Sequence, residues 1–410
     1  DEPLPLLSFA DAADEARFKS APHGKSGAGL LAYMLGKEPP LQIDAGGAEG
    51  GGDAEEGGIG RYRLPRAYLR TPFNLEEETG GSLRYMDGLA PEGKPPARLY
   101  QWSGDTSPWD EAVAAVRRAG GVNMNGGDTR FDSEYPSYTA VSSIGRLAGA
   151  ERQIYSAASN ENTYTDLWTA KFFGYQNLIH TVRATETPIR VKPFNLYYHT
   201  YSGQKTASLN AVKKNLNAAR AMEIAPVAAS HYVDIANGFY AVRFIADGAR
   251  RWRVLDRGAL QTIRFDRALF SGVDFARSKG VMGQRYHQGS LYVALDPAER
   301  EPVVALTETD RADAPPDAPR PYLVHGRWRF SDLRLNWQSF SAYAQGYGAG
   351  AMEWRIPWAG RYAVTARRDG EILWRGVASV APGEQLLRAV VAADAIKPLQ
   401  ITVAPLAEGG

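Results

Sequence analysis

The chain of 410 residues contains no cysteine, only six histidines and a net charge of +1. Without cysteine it can form neither disulfides nor Cys-ligated zinc sites, and thiolate nucleophiles are excluded. A near-neutral charge does not favour binding to nucleic acid or adhesion to an anionic membrane surface. No run approaches 18 apolar residues, so the sequence predicts no membrane span. The lack of cysteine does not decide the compartment.

Several catalytic motifs are also missing. The histidines show no HxxxH or HxxH pair, so no two-histidine metal site is identifiable from spacing. There is no GxSxG nucleophile elbow. Gly24-Lys25-Ser26 resembles the end of a phosphate loop, but Lys19 stands where that loop needs its first glycine.

The chain is long enough for two domains and divides into three segments of different character. Residues 1–60 are poorly patterned and include a Gly-rich acidic spacer at 45–60. Residues 61–250 alternate strand-like and helix-like patterns, which predicts an α/β layer or barrel. Residues 251–410 contain short alternating runs separated by turns, which is typical of an all-β sandwich.

Individual elements follow from hydrophobic periodicity and turn residues. In the middle segment we predict helices over 75–89, 108–119, 166–183 and 205–223, and strands over 97–102, 121–125, 152–157 and 194–198. In the last segment we predict strands over 289–295, 360–367, 371–376 and 399–404. Asp369-Gly370 is a strong signal for a tight hairpin turn.

The most informative stretch is NLYYHTYSG at 195–203, where aromatic residues lead up to His199. We interpret it as a buried strand followed by a loop and then a helix. Ligands bind at the C-terminal ends of strands in such units, and a histidine there can transfer a proton near neutral pH. We therefore expect His199 to line a polar pocket close to Asp128 or Asn160. The alternative is a neutral histidine hydrogen-bonded within an aromatic rim.

Polar clusters follow three further predicted strands, and each carries at least one acid. If the four strand ends converge, they form a site rich in Asp, Asn, Trp and Tyr, which suits a hydroxyl-rich ligand. The alternative is that the Asp and Asn side chains only cap turns and helices. The candidate catalytic residues are His199 and Asp128. The candidate substrate-binding residues are Trp102, Asp105, Asn125, Arg130, Asn160, Asn162, Trp168 and Tyr198.

Six segments, taken in order, are similar to the deacetylase module of PelA-like proteins, which belong to the NodB-type carbohydrate esterases. They are WSGD (102–105), NMNGGDTRFD (123–132), SYTAVSSIGR (137–146), SNENTYTDLW (159–168), KPFNLYYHTYSG (192–203) and ASLNAV (207–212). The resemblance covers roughly residues 70 to 245, and residues 251–410 match the position of a C-terminal β-sandwich in these proteins.

The resemblance implies an irregular (β/α) barrel at 61–250 followed by a β-sandwich at 251–410. It also implies a divalent metal such as zinc, held by an early aspartate motif and an HxxxH motif, and a late histidine that acts as general acid. His199 matches the late histidine. The HxxxH motif is absent and His23 is the sole histidine before residue 180, so no metal ligands are identifiable.

Two classes of function follow. The first is a bacterial periplasmic or secreted de-N-acetylase acting on an exopolysaccharide rich in N-acetylhexosamine. The second is a catalytically inactive polysaccharide-binding or scaffold protein of exopolysaccharide export, which would contact other export proteins. Neither class involves nucleic acid or a membrane span.

The last segment is rich in tryptophan, with Trp328, Trp337, Trp354, Trp358 and Trp374. We hypothesise that one or two of these rings are exposed and stack on sugar rings. The alternative is that all five are buried.

Overall fold

The computed structural model describes residues 73–92, 94–104, 106–166, 169–186, 190–315 and 320–406. By its internal contacts the chain divides into two units. The first contains the described residues up to Thr185 together with Val191–Leu216, and the second contains Glu186, Arg190 and the described residues from Asn217 onward. Residues 217–250 thus group with the second unit, whereas the sequence pattern groups them with the first.

The α-helices of the described residues are short. They are α1 (Ser82–Leu89), α2 (Asp110–Arg118), α3 (Leu178–Ala184), α4 (Thr206–Ala221) and α5 (Ala229–Ala241). Four 3-10 turns cover Tyr138–Ala140, Glu161–Thr163, Gly174–Asn177 and Thr200–Gln204, and a π-helical turn at Glu77–Gly81 precedes α1. No helix in the described ranges is both long enough and apolar enough to cross a bilayer.

The described residues of the first unit form one small sheet, with strands in the order β1-β2-β4-β3. The strands are β1 (Leu99–Gln101), β2 (Val122–Met124), β3 (Gly145–Ala148) and β4 (Glu151–Ile154). β1 pairs with β2 and β2 with β4 in parallel, whereas β3 and β4 form an antiparallel hairpin. Helix α2 turns its apolar face inward, so that Val113, Ala115 and Val116 are almost fully buried.

The predicted (β/α) barrel is therefore wrong. The sheet of the first unit is open, with β1 and β3 at its edges, and only three of its strands run parallel. The predicted strand at 194–198 pairs with no other strand in the described chain. Its aromatic residues suggested a sheet, but side chains bind its backbone instead: Tyr175 Oη donates to the Tyr197 carbonyl, and Glu161 accepts from the His199 N–H. The part of the chain that the structure describes is rich in sheet and poor in helix.

The predicted helix at 166–183 is also mostly absent, since helical structure starts only at Gly174. Lys171 has φ +53°, a left-handed value that interrupts a right-handed helix. Gly174 approaches the Tyr164 carbonyl so closely that a Cβ at this position would lie 2.0 Å from the oxygen. The helices predicted at 108–119 and 205–223 are present with slightly shorter bounds.

The described residues of the second unit form three sheets. Their strand orders are β18-β15-β12-β9-β10-β7, β5-β6-β11-β8 and β13-β14-β19-β16-β17. The strands are β5 (Arg243–Ala246), β6 (Arg251–Leu255), β7 (Thr262–Phe265), β8 (Ser271–Val273), β9 (Val281–His287), β10 (Ser290–Leu295), β11 (Val303–Glu308), β12 (Tyr322–Gly326), β13 (Arg329–Asn336), β14 (Ser339–Gln345), β15 (Gly350–Arg355), β16 (Gly360–Arg368), β17 (Glu371–Val380), β18 (Leu386–Val391) and β19 (Leu399–Pro405).

Alternation along these strands produces two cores. The larger core combines Trp354 and Leu387 of the six-stranded sheet with Phe340, Val364 and Ile401 of the five-stranded sheet. A second, separate core joins the six-stranded and four-stranded sheets and includes Val254, Leu291 and Val304.

The hairpin predicted at Asp369-Gly370 is confirmed. Arg368 pairs with Glu371, which leaves Asp369 and Gly370 as a two-residue loop between β16 and β17. Both loop residues have positive φ, at +50° and +85°. This is the backbone of a type I′ turn, whose twist matches that of the flanking strands.

Candidate functional site

The candidate site lies where the parallel strands of the first unit end. Trp102 follows β1, Asn125 follows β2, and the segment after β4 leads to the 3-10 turn at Glu161–Thr163. The chain after β2 is tightly constrained: Asn125, Gly126 and Gly127 all have positive φ. A Cβ on Gly127 would lie 2.0 Å from the ring of Tyr155. Backbone conformations that are rarely populated often accumulate at functional sites.

The central feature of the site is a hydrogen-bonded pair, His199 and Glu161. Glu161 Oε1 accepts from His199 Nδ1 at 3.0 Å and from the His199 backbone N–H at 2.6 Å. An ionised carboxylate can only accept hydrogen bonds, so the proton of the neutral imidazole lies on Nδ1. The Nε2 lone pair is then available to take a proton. About a third of the His199 side chain is exposed, so a ligand can approach this ring.

Glu161 is held in a buried position. Only 1% of its surface is exposed, and Ser202 Oγ also donates to Oε1 at 3.1 Å. The other oxygen, Oε2, is buried and has no hydrogen-bond partner among the described residues. Asn160 caps the turn, because its side chain accepts from the Asn162 N–H at 2.9 Å. A carboxylate that accepts from Nδ1 fixes the orientation and the tautomer of the imidazole ring.

Two tyrosines flank the His199 ring. Tyr201 stacks on it, with centroids 4.7 Å apart and an interplanar angle of 8°. Tyr197 Oη lies 3.5 Å from His199 Nε2 and accepts from Asn125 Nδ2 at 3.2 Å. Burial raises the pKa of Tyr197, so its hydroxyl stays protonated at neutral pH. Asn125 is itself 2% exposed and so fixes the position of the Tyr197 hydroxyl.

Asp128 lies next to this cluster. Its carboxyl accepts from Thr163 Oγ1 at 3.3 Å, and Thr163 belongs to the same 3-10 turn as Glu161. Asp128 is exposed to solvent, yet the protein atoms crowded around it displace enough water to raise the pKa of its carboxyl. A raised pKa brings this carboxyl nearer to the range in which it can exchange protons at neutral pH.

Arg130, a candidate substrate-binding residue, makes structural contacts instead. It is 7% exposed, and its guanidinium pairs with Asp132 and Glu134 and donates to the Thr163 carbonyl at 2.8 Å. The ring of Tyr164 lies 4.6 Å from the guanidinium carbon. Arg130 thus supports the turn that carries Glu161.

The remaining predicted residues are divided between the site and its surroundings. Asn162 Oδ1 accepts from Tyr201 Oη at 3.2 Å, which brings it into the cluster. Trp102 is half-buried and donates from Nε1 to Asn123, while Tyr198 is 45% exposed. Asp105 and Trp168 lie outside the described residues.

Sequence reasoning missed Glu161, Tyr197 and Tyr201 as functional residues. Glu161 belongs to the polar cluster after β4, but it is 38 positions away from His199 and no spacing rule links the two. The one available signal was an acid within a strand-end cluster.

The expected metal site does not fit the described residues. They contain no group of three or more His, Asp or Glu side chains close enough to hold a metal ion. The cluster offers one carboxylate paired to one imidazole, so no catalytic step is assigned to a metal here.

Two cavities of about 440 and 430 Å³ occur in the second unit. Arg285, Tyr322 and Arg355 line the first, while His325, Glu353 and Arg388 line the second. Neither cavity includes His199, so the hydrogen-bonded cluster, rather than cavity size, identifies the candidate site.

Comparison with known proteins assigns no family. No family model matches the chain, and no curated protein matches it.

Proposed function

We propose that this protein is a carbohydrate de-N-acetylase-like hydrolase that acts on an exopolysaccharide rich in N-acetylhexosamine, of the kind handled by Pel-type biosynthesis and export. The observation that carries the proposal is the His199–Glu161 pair, in which a buried carboxylate fixes the tautomer of a partly exposed imidazole. The resemblance of residues 102–212 to PelA-like deacetylase modules supports the choice of substrate. On the same resemblance we propose that the protein is periplasmic or secreted from a bacterial cell.

The chemistry requires two proton transfers. Water adds to the acetamide carbonyl and loses a proton to a general base, and the C–N bond then breaks as the amine gains a proton. The products are acetate and a free amino sugar. His199 is the group for proton transfer to nitrogen, because Glu161 holds a proton on Nδ1 and leaves Nε2 to exchange one. Asp128, with its raised pKa, is the second candidate for proton exchange.

The residues around this pair bind the sugar and orient the imidazole of His199. Tyr201 covers one face of the imidazole, and the exposed ring of Tyr198 offers a surface for a sugar. The family resemblance leads us to expect a divalent metal such as zinc, which would polarise the carbonyl and activate water. The described residues do not supply a ligand set for it, so only the proton-transfer roles are assigned.

The test is acetate release from an N-acetylhexosamine oligomer. We expect His199→Ala to lower kcat by about 10²- to 10⁴-fold, the usual contribution of a general acid or base, without loss of folding. The matched control is His180→Ala, which removes an exposed histidine of α3 and should leave the rate unchanged. Equal rates for wild type and His199→Ala would refute the proposal.

A second candidate is a non-catalytic polysaccharide-binding or scaffold protein of an export system. The exposure of Trp337 in the second unit favours it, since 87% of that side chain is in solvent. Binding of the oligomer without acetate release, under any metal supplementation, would support this candidate instead.

A further inference from the structure

The hairpin formed by β13 and β14 carries a tryptophan where folding alone does not favour one. Asn336 pairs with Ser339, which leaves Trp337 and Gln338 as the turn. Trp337 is 87% exposed and has φ +35°, a left-handed value normally taken by Gly, Asn or Asp. Both exposure and backbone conformation are therefore unfavourable at the same residue. Such a position is a sign of function.

The other four tryptophans of residues 251–410 that were considered for sugar stacking, Trp328, Trp354, Trp358 and Trp374, behave differently. Trp328 is 3% exposed and Trp354 is fully buried. Trp358 and Trp374 are half-buried and pack against the larger core. Trp337 is thus the one of the five whose ring is free to contact a ligand.

The outer face of β14 is polar and ends in a second aromatic residue, while Arg334 of β13 pairs with Ser341 on the same face. Ser339, Ser341 and Tyr343 alternate along β14 with buried residues, so all three lie on the outer face. Tyr343 is 42% exposed. Its distance from Ser339 along the strand is about 13 Å, at about 3.3 Å per residue.

Strand β19 extends this face sideways. Thr402 pairs with Ser341, and Gln400 pairs with Tyr343. Both alternate with the buried residues Leu399, Ile401 and Val403, and both are half-buried themselves. The outer face of β14 and β19 therefore presents hydroxyl and amide groups beside the exposed ring of Tyr343, and Trp337 lies at the tip of the same hairpin.

The chemistry of this face suits a glycan chain better than a protein or a lipid surface. A stable protein interface buries about 800 Å² on each partner and has an apolar centre, which two separate rings do not provide. An anionic lipid surface requires unpaired basic residues, whereas Arg334 beside the turn is paired with Asp332 at 2.8 Å. Sugar rings have apolar faces that stack on aromatic rings and hydroxyls that bind serine, threonine and glutamine.

We propose that the outer face of β14 and β19, with Trp337 at the hairpin tip, binds a chain of N-acetylhexosamine units. Trp337 and Tyr343 stack on ring faces, and Ser341, Gln400 and Thr402 bind hydroxyl or acetamide groups. The identity of the sugar rests on the proposed function, but the binding itself does not depend on hydrolysis.

The test measures binding of N-acetylglucosamine and N-acetylgalactosamine hexamers to the full chain by calorimetry. We expect Trp337→Ala and Tyr343→Ala each to weaken binding by about tenfold, the effect of losing one stacking contact. Phe270→Ala is the matched control, because it removes an exposed aromatic residue (57%) from a turn before β8 and should leave Kd unchanged.

A second variant separates binding from folding. Trp337→Gly removes both the exposed ring and the left-handed strain, so we expect Tm to rise by about 2 to 4 °C while binding falls. Wild-type affinity in this variant, or failure of the wild-type chain to bind either hexamer, would overturn the proposal. Binding that depends on Trp337 in a chain that releases no acetate would leave this inference standing and reject the hydrolase.

Discussion

At the scale of single residues, the role of Glu161 is to position His199. The Glu161 carboxylate holds the proton on Nδ1 and accepts from Ser202 and from the His199 backbone as well. Glu161→Gln places an amide that can donate as well as accept against the imidazole, so the tautomer is no longer fixed. We expect kcat to fall by about 10²- to 10⁴-fold while KM changes little.

The measurement that separates positioning from folding is the ¹⁵N spectrum of the His199 ring. It should report a proton on Nδ1 in the wild type and a mixture of tautomers in Glu161→Gln. Glu92→Gln, which changes an exposed acid of the same unit, is the control. An unchanged ring spectrum together with an unchanged rate would contradict the role given to Glu161.

Lys192 makes stability depend on pH. It is 4% exposed and donates to Ser142 Oγ and the Ser143 carbonyl, and burial lowers the pKa of its ammonium to about 8. The unfolded value is about 10.4, so between these two values the unfolded chain binds more protons than the folded chain. The penalty for burying the charge is therefore complete below pH 8 and is relieved as the pH rises.

We expect Lys192 to raise the free energy of unfolding between about pH 8 and pH 9.5. At about 1.4 kcal/mol per pKa unit, the free energy of unfolding rises by on the order of 3 kcal/mol in total between the folded pKa of about 8 and the unfolded pKa of about 10.4. Denaturant titrations of wild type and Lys192→Met should show this slope only in the wild type. The denaturant titrations stop near pH 9.5. Above that pH the tyrosines, whose pKa is about 10 in the unfolded chain, ionise more readily in the unfolded than in the folded state and so lower the free energy of unfolding. Equal slopes would disprove the assignment.

The sequence identifies individual chemical groups at this scale better than their partners. His199 was predicted because aromatic residues and a turn surround it locally. Glu161 was not, because its contact with His199 is made across 38 positions of chain by an irregular turn. Arg130 resembled a ligand-binding residue, yet its two acidic partners, Asp132 and Glu134, are neighbours in sequence and bind it within the fold.

At the scale of secondary structure, a Gly→Ala substitution should lower the stability of the protein in a turn and raise it in a helix. Gly370 has φ +85° in the β16–β17 hairpin, whereas Gly88 lies in α1 with nothing within 4 Å of an added Cβ. We expect Gly370→Ala to destabilise the protein by about 1–2 kcal/mol and Gly88→Ala to stabilise it by about 0.5–1 kcal/mol. Chemical denaturation of both variants tests the pair, and the same sign for both would contradict the turn or the helix.

Elements were predicted well where local signals suffice. The turn at Asp369-Gly370 and helices α2 and α4 follow from turn residues and periodicity alone. The barrel failed because an aromatic run such as 194–198 fits a strand equally well when side chains, rather than a neighbouring strand, bind its backbone. Periodicity reports burial, and it does not report the partner of a backbone N–H or carbonyl.

At the scale of the whole molecule, the two units have separate cores. Leu178 of α3 is fully buried in the first unit, and Leu387 of β18 is fully buried in the larger core of the second. Each leucine side chain that is cut back to alanine leaves a cavity and costs about 2–5 kcal/mol. We therefore expect each substitution to destabilise its own unit.

Calorimetry of the full chain tests this division. We expect two unfolding transitions, with Leu178→Ala lowering the Tm of one and Leu387→Ala lowering the Tm of the other by about 5 °C or more. Loss of the first-unit transition should also remove any acetate release, because His199 and Glu161 both belong to that unit. A single transition whose Tm falls equally in both variants would show instead that the chain unfolds as one cooperative body. Acetate release would then be lost on heating at the same lowered temperature in the Leu387 variant as in the Leu178 variant.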